Sequence, residues 1–128
     1  MYTTGIDMTT VSRIEKSCEK ESFRSFVFTP AELDLFFNTG KPKYASLAAN
    51  FAAKEAFSKA LGTGVRGFSL NEIEILRDEM GAPYMKFYGK AAEIMLKGGY
   101  KRQVSLSHEK DVAIAIVLLE KSKNIVNL

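Results

Sequence analysis

The sequence has very few of the residues on which thiol and imidazole chemistry depend. It contains one cysteine, Cys18, and one histidine, His108, among 128 residues. A single cysteine excludes an internal disulfide and any zinc site built from several cysteines, and this usage is typical of the cytosol. No nucleophile signature surrounds Cys18, so we interpret it as a structural thiol on a helix.

Long apolar runs are also missing. The longest is VAIAIVLL, residues 112–119, which is far shorter than the roughly 20 residues needed to cross a bilayer. The N-terminus, MYTTGIDMTT, has neither a basic start nor an apolar stretch of signal-peptide length. We therefore predict a soluble, cytoplasmic protein that does not bind membranes.

Motifs of several enzyme classes are absent, and the charge is only mildly basic. The chain has no serine-nucleophile motif, no dinucleotide fingerprint and no Walker loop. Its net charge of +3 favours an acidic partner, such as an acidic protein, but is lower than that of dedicated nucleic-acid binders. The length and the 46% hydrophobic composition predict one domain, residues 1–128, for which contacts with other subunits would be unsurprising.

The order of turn signals and apolar patterns predicts an α+β domain, with a small antiparallel sheet. We expect a strand ending at residues 5–8, a helix over residues 11–20 capped by Thr9-Thr10, and a helix begun by the capping box Thr29-Pro30-Ala31-Glu32 that ends near residues 38–40. We next expect a long helix over about residues 44–61, a hairpin over 72–88 with a half-buried first strand, and a short helix over about 89–97. The strands QVSLS and VAIAIVLLE flank a turn, HEKD; we expect the last strand to be buried on both faces and the tail, residues 121–128, to fray.

The long helix changes character along its length. After an apolar first half, Lys54, Glu55 and Lys59 precede the turn Gly62-Thr63-Gly64. Glu55 and Lys59 lie one turn apart, on the same helix face that is apolar in the first half. A face that changes from apolar to charged in this way is what the wall of a cleft would present. The same spacing fits a solvated ion pair, worth about 0.2–0.5 kcal/mol, and the glycines fit an ordinary C-cap. A phosphate at this negative end of the helix would need the lysines.

His108 lies in the segment SLSHEKD. It fits an ordinary residue of a hairpin turn. Beside Ser105 and Ser107 it could instead offer a hydrogen bond to a phosphate, and the pattern alone leaves both interpretations open.

Six segments together resemble the holo-[acyl-carrier-protein] synthase family, the small bacterial 4'-phosphopantetheinyl transferases. They are GIDM (5–8), FTPAEL (28–33), FAAKEAFSKALGTG (51–64), IEIL (73–76), GAPYMKFYGKAA (81–92) and VSLSHEKDVAIAIV (104–117), in register over about residues 5–120. The resemblance implies that family's fold, a small antiparallel sheet packed with a long helix and shorter helices. It also implies transfer of the 4'-phosphopantetheine of coenzyme A to a serine hydroxyl of apo acyl carrier protein, for fatty acid biosynthesis, with release of adenosine 3',5'-bisphosphate.

The resemblance also implies roles for particular residues. Asp7 and Glu55 would be the ligands of Mg²⁺, and Lys59 would stabilise the charge that moves onto the leaving group. Lys54 is a further candidate cation, unless it faces outward. The base for the incoming serine would be either Glu55 or a metal-bound water. The coenzyme A-binding residues would be Lys59, Gly62, Thr63 and Gly64 along the nucleotide and diphosphate, with Ser107 and His108 at the adenosine end.

The resemblance further implies a homotrimer with active sites between subunits, and docking of the acidic carrier protein on Arg13 of the first helix. Two departures from the family stand out. Relatives commonly have arginine where this chain has Asn50, which removes a possible phosphate or intersubunit contact. Relatives often have arginine near Phe26, and Arg24 could substitute there in docking.

Two rival functions are compatible with parts of the sequence. The first is a non-catalytic module that holds coenzyme A or an acidic protein; two acids facing a diphosphate, Asp7 and Glu55, argue against it, and turnover distinguishes the two. The second is a small RNA-binding domain that uses the basic balance and the strand YMKFY. That strand lacks the aromatic spacing for base stacking, so we expect no nucleic-acid partner.

Overall fold

The computed structural model describes residues 1–122 and has the predicted α+β architecture. The strands are β1 (Tyr2–Thr10), β2 (Ile73–Arg77), β3 (Pro83–Phe87), β4 (Tyr100–Glu109) and β5 (Val112–Lys121). The helices are α1 (Val11–Ser17), α2 (Glu21–Val27), α3 (Pro30–Phe36), α4 (Tyr44–Leu61) and α5 (Gly89–Gly98), and a short 3-10 helix covers Leu70–Glu72. Within residues 1–122, no helix is long and apolar enough to cross a bilayer.

The strands form two antiparallel sheets. One has the order β1-β5-β4 and the other is the hairpin β2-β3; both hairpins that the sequence predicted, β2-β3 and β4-β5, are present. In the larger sheet Asp7 lies opposite Ala115, which in turn lies opposite Leu106. Because successive side chains alternate between faces, Gly5, Asp7 and Thr9 point to the interior while their neighbours in β1 point outward.

Helix α4 runs along the inner face of the larger sheet and separates two hydrophobic clusters. Its sequence is rich in alanine, and its residues 47–54 are all buried. One cluster lies between α4, the sheets and α5, around Phe57 and Val117. The other lies between α4 and the helices α1 to α3, around Phe28 and Leu47. The small alanine side chains allow both layers to approach the helix closely, so α4 contacts β1 and β5 over much of its length.

The helix ends follow the predicted chemistry in most places. Thr29 accepts a hydrogen bond from the Glu32 backbone N–H, while the Glu32 side chain accepts one from the Thr29 N–H, so the capping box is confirmed. Gly62 ends α4 in the left-handed conformation, with φ of 81°. The cap predicted for α1 is wrong, because Thr10 makes no side-chain cap; instead Asp111 accepts hydrogen bonds from the Ser12 N–H and hydroxyl.

Several predicted boundaries are corrected. The helix expected over residues 11–20 ends at Ser17, and α2 follows it as a separate helix that the pattern missed. Helix α3 ends at Phe36, and the 72–88 hairpin has a first strand whose residues 73–75 are all buried rather than alternating.

The hairpin between β4 and β5 turns over residues 110 and 111, with Lys110 at φ of 55°. His108 therefore belongs to a strand rather than to a turn. Lys121 still lies in β5, and residues 123–128 of the predicted frayed tail are outside the described residues.

The prediction that β5 is buried on both faces is wrong for the single chain. Its inner residues, such as Ala115 and Val117, are fully buried, but Val112, Ile114 and Ile116 are 36%, 37% and 43% exposed. An apolar run does not distinguish a strand covered on both faces within one chain from a strand whose second face is left uncovered.

Candidate active site

The contact between β1 and α4 brings charged side chains together at one edge of the sheet. Lys59 donates hydrogen bonds from Nζ to the Asp7 carboxylate, with 3.1 Å between Nζ and Oδ1, and to the Ile6 carbonyl at 2.9 Å. The Asp7 side chain is only 19% exposed, whereas that of Lys59 is 55% exposed. The ammonium group is therefore open to a ligand, and the carboxylate is partly enclosed.

Thr9 holds the second oxygen of Asp7. Its hydroxyl donates to Asp7 Oδ2 at 3.3 Å, and Thr9 itself is buried. The two residues lie on the same face of β1, two positions apart, which is the spacing that brings side chains of a strand together. The sequence pattern predicted Thr9 as part of a helix cap, and the signal for its contact with Asp7 was the alternation of β1.

Glu55 lies one turn before Lys59 on α4 and is half-buried. Burial raises the pKa of its carboxyl, and the negative charge of Asp7 raises this pKa further, while Lys59 and Arg13 oppose the shift. Asp7 is thus close enough to act on Glu55. Two carboxylates and two cationic side chains share this location, and the catalytic and metal-binding roles of Asp7, Glu55 and Lys59 stay predictions.

The carboxylate pair fits a hard divalent cation that also binds a substrate. Mg²⁺ takes oxygen ligands and needs only one or two protein carboxylates when phosphate oxygens and waters complete its shell. Within residues 1–122 no group of three or more Asp, Glu, His or Cys side chains is placed to hold a metal. The protein therefore offers two acids at this site, and a third protein ligand from the same part of the chain is absent.

Arg13 lies at the rim of this site. It is exposed on α1, its guanidinium carbon is 5.7 Å from the centre of the Phe51 ring, and its charge acts on Glu55. The predicted docking residue is therefore next to the candidate catalytic carboxylate, where a macromolecular partner could reach both.

The turn after α4 is open to solvent. Gly62 and Gly64 have φ of 81° and 67°, and the Thr63 hydroxyl donates to the Gly64 carbonyl at 3.0 Å. A Cβ placed at either glycine would meet no atom within 4 Å. Both glycines are needed for their backbone conformation, and the space beside the turn is free.

Ser107 and His108 do not share the location of Asp7 in the single chain. Ser107 pairs with Ile114 and points to the outer face of the sheet, opposite to the face that carries Asp7. His108 pairs with Ala113 and lies on the inner side, near the end of β4. Both are exposed. As adjacent residues of one strand, they leave β4 on opposite faces of the sheet.

Lys54 is not a phosphate-binding cation, and it does not face outward. It is fully buried, and its Nζ donates to the Val27 carbonyl and to Glu32 Oε1, the latter at 2.7 Å. Burial lowers the pKa of Lys54, and the charge of Glu32 opposes that shift. This ion pair joins α4 to the α2–α3 layer inside the core.

Asn50 has a role in the interior. Its amide donates to Glu32 Oε2 at 2.8 Å and to the Ile75 carbonyl at 2.9 Å, and its oxygen accepts from Arg77 at 3.0 Å. The departure at this position thus removes no surface contact of this chain. Arg24, the candidate substitute in docking, donates to the Cys18 carbonyl and lies 4.6 Å from the centre of the Phe37 ring.

An apolar surface adjoins the charged site. Ile6, Met8 and Ile114 line a hollow of about 380 Å³ together with Asp7 and Lys59. Residues of the same outward face are exposed on both β1 and β5; we call Ile6, Met8, Val112, Ile114 and Ile116 the outer sheet face. An exposed apolar patch of this kind marks a surface that binds another molecule.

Comparison with known proteins places this arrangement in a family. The family model described as the 4'-phosphopantetheinyl transferase superfamily matches residues 3–117. The holo-[acyl-carrier-protein] synthase of Treponema denticola is 40% identical over 117 residues, which cover 91% of this chain and 95% of that protein. The enzyme of the same name from Carboxydothermus hydrogenoformans is 44% identical over 122 residues, covering 93% and 98%.

Solved structures give the same result. The crystal structure of holo-[acyl-carrier-protein] synthase from Neisseria meningitidis has a TM-score of 0.83 and 35% identity, and covers 93% of this chain and 98% of its own. The holo-(acyl-carrier-protein) synthase of Bacillus anthracis, solved in complex with CoA (3',5'-ADP), has a TM-score of 0.75 and 32% identity, covering 94% and 96%. The similarity therefore extends over almost the whole fold.

Proposed function

The chain belongs to the 4'-phosphopantetheinyl transferase superfamily, and we propose that Asp7, Glu55 and Lys59 form its catalytic centre. It is an enzyme, a transferase of the holo-[acyl-carrier-protein] synthase type, as predicted: it moves 4'-phosphopantetheine from coenzyme A to acyl carrier protein. The observation that supports the location is the convergence of Asp7 and Lys59 across the β1–α4 contact, with Glu55 one turn away.

The proposed chemistry is a phosphoryl transfer in which bonds and charges balance. The serine hydroxyl oxygen of the carrier protein bonds to the phosphorus next to pantetheine, and the bond from that phosphorus to the bridging oxygen breaks. Adenosine 3',5'-bisphosphate leaves with the bridging oxygen, and the hydroxyl proton goes to a base. We propose that this phosphopantetheinylation of acyl carrier protein serves fatty acid biosynthesis.

Asp7 and Glu55 would hold Mg²⁺, because two partly enclosed carboxylates within Coulomb reach of each other favour a bound cation. When bound, Mg²⁺ supplies positive charge to the diphosphate. Within the protein, the Thr9 hydroxyl donates to one oxygen of Asp7, and Lys59 of α4 donates to the other.

Lys59 would bind the diphosphate of coenzyme A. More than half of its side chain is exposed, and its anchors, Asp7 and the Ile6 carbonyl, hold the ammonium at the site. A fixed ammonium at this point stabilises the negative charge that develops on the leaving phosphate. The open turn of Gly62, Thr63 and Gly64 follows on the same helix, where backbone can approach the nucleotide.

We assign the serine proton to Glu55. Its carboxylate is half-buried at the site and close to Arg13, so it is placed to accept the proton of a serine that the carrier brings to this rim. Arg13, on the adjoining rim, would attract the acidic carrier protein and bring its serine toward Glu55.

The outer sheet face supports an assembly of several copies. Ile114 borders the same hollow as Asp7 and Lys59, so a second copy that covers this face would lie next to the catalytic centre. Ser107, which points to this face, and His108 at the strand end would then contact coenzyme A held by a neighbouring subunit. We infer intersubunit sites on this basis; that the assembly is a homotrimer is what the resemblance to the family implies. A cytoplasmic location stays a prediction.

Mass spectrometry of apo acyl carrier protein tests the function. Incubation with coenzyme A, Mg²⁺ and this protein should add one phosphopantetheine to the carrier, and a carrier whose acceptor serine is replaced by alanine should gain none. Binding of coenzyme A without any mass increase, on a carrier that a known transferase modifies, would support the non-catalytic alternative instead.

A further inference from the structure

We propose that Gly5 is a positioning residue for the catalytic centre, because its missing side chain sets the distance between β1 and α4. The inference deepens the proposed function and depends on it. It concerns a residue that has no polar side chain and that would touch neither substrate.

The contact at Gly5 is made with backbone. A Cβ built at this position would lie 1.9 Å from the Ala56 carbonyl oxygen and 2.7 Å from the Ala60 nitrogen. Real Cβ atoms essentially never approach other atoms within 3.0 Å, so strand and helix would have to separate by roughly 1 Å. Backbone atoms cannot rotate out of the way as the end of a flexible side chain does.

The backbone conformation does not require glycine at this position. Gly5 is absent from the glycines with positive φ, which in residues 1–122 are seven and include Gly62 and Gly64. Glycine inside a strand weakens it, and a common reason to find one there is the close approach of another backbone. Glycine is therefore required at position 5 only because α4 leaves no space there for a side chain.

The atoms that Gly5 meets belong to the turns that carry the catalytic side chains. Ala56 follows Glu55 in the sequence, and Ala60 follows Lys59. On the strand, Asp7 lies two residues after Gly5 and points to the same face. The hydrogen bonds from Lys59 to Ile6 and Asp7 cross this same contact.

A separation of this size would matter more for the chemistry than for the fold. Catalytic groups must be held within about 0.5 Å of the productive geometry, and a displacement of about 1 Å can lower the rate roughly 100-fold. The core around Phe57 and Val117, by contrast, contains many contacts that do not involve Gly5.

The test is Gly5→Ala, with Gly98→Ala as the matched control. In the control the added Cβ meets the Tyr100 ring, a side chain, at the end of α5. We expect Gly5→Ala to lower kcat roughly 100-fold and to weaken Mg²⁺ binding, measured by calorimetry in the presence of coenzyme A, with KM for the carrier protein nearly unchanged. Gly98→Ala should retain kcat and Mg²⁺ binding.

A rescue experiment separates positioning from loss of stability. In the Gly5→Ala background, Asp7→Glu adds a methylene that reaches back across the wider gap, so it should recover part of the Mg²⁺ affinity and of kcat. In the parent background the same change should lower both. If the two changes reduce activity independently, Gly5 has only a structural role and the proposal is overturned.

Thermal melting establishes which variants fold. If Gly5→Ala does not fold, Ala60→Val, which enlarges a small residue of the same contact, is judged by the same criteria. A folded variant of either kind with parental kcat and Mg²⁺ affinity overturns the inference. An unmodified protein that transfers no phosphopantetheine would instead overturn the proposed function, so the two failures are distinct.

Discussion

Lys59 and Asp7 form an ion pair across the contact between α4 and β1, with 3.1 Å between Nζ and Oδ1. An exposed pair of this kind contributes about 0–1 kcal/mol to stability, so stability alone does not account for the arrangement. The lysine also bonds the Ile6 carbonyl, and Thr9 bonds the other aspartate oxygen. These contacts fix the directions of both charges, which is what a site for a diphosphate and its cation requires.

Removal of either proposed metal ligand should abolish most activity while the fold is retained. Asp7→Asn and Glu55→Gln keep the size of the side chain but remove its charge, so each should lower kcat at least about 100-fold. Mg²⁺ titration calorimetry with coenzyme A should show weaker binding in both. Near-parental turnover in either variant would contradict the assignment, and circular dichroism spectra equal to those of the parent serve as the control for folding.

The raised pKa of Glu55 predicts a pH dependence of stability. Because the native state binds this proton more tightly than the unfolded chain, the free energy of unfolding should fall as the pH rises from the ordinary glutamate pKa through the raised value. Glu55→Gln removes this fall, so the variant should become the more stable protein above that window and match the parent below it. Urea unfolding without Mg²⁺, followed by circular dichroism because the chain has no tryptophan, measures the difference.

Asp7→Asn offers a second measurement of the same effect. The charge of Asp7 is the second cause of the shift after burial, so its removal should make the fall with pH smaller without abolishing it. A parent protein whose stability is flat across this pH range would contradict the raised pKa.

Arg13→Glu should affect the carrier protein and not coenzyme A. Reversal of an exposed charge at the rim should raise KM for the carrier roughly tenfold, which corresponds to about 1.4 kcal/mol. The effect should shrink as salt is added. Lys97→Glu on α5 makes the same change of charge at another exposed position and should leave both KM values unchanged. An unaltered carrier KM for Arg13→Glu would remove Arg13 from the docking surface.

The sequence identified the parts of the site that obey local rules. The strand end at residues 5–8 and the long helix with its Gly62 cap were predicted from capping and periodicity, and they do bring Asp7, Glu55 and Lys59 together. The order of turn signals and apolar patterns predicted the α+β class, and the segments that resemble the family, over about residues 5–120, implied the same fold. Local patterns suffice where each element obeys its own periodicity.

The burial of Lys54 could not be predicted from local patterns. A helical wheel places it on the flank of α4, but its partner, Glu32, lies 22 residues away in sequence and was interpreted only as a helix cap. Which charged residue is buried depends on how α3 packs against α4, and no local pattern contains that information. The strand position of His108 was missed for a related reason, because polar residues at the end of a hairpin strand resemble a turn.

The outer sheet face predicts an assembly that a single charge can disrupt. Ile114→Glu places a carboxylate in the middle of this apolar face and should dissociate the proposed trimer, with loss of activity because the proposed sites lie between subunits. Leu96→Glu, at an apolar residue of α5 that is 84% exposed, should leave the assembly intact. Light scattering coupled to size exclusion measures the mass. A parental assembly in the Ile114→Glu variant would show that this face is not the interface.

Lys54→Met should lower stability more than Lys59→Met does, whereas Lys59→Met should lower activity more. Lys54→Met leaves the carboxylate of Glu32 buried without its ammonium partner, which should cost about 3–5 kcal/mol of unfolding free energy. Lys59→Met removes an exposed pair and should cost less than about 1 kcal/mol. Activity per folded molecule should fall more in Lys59→Met than in Lys54→Met, since only Lys59 faces the proposed substrate. Urea unfolding and turnover measured on the same preparations compare the two effects, and a Lys54→Met protein as stable as its parent would show that the buried ion pair contributes nothing.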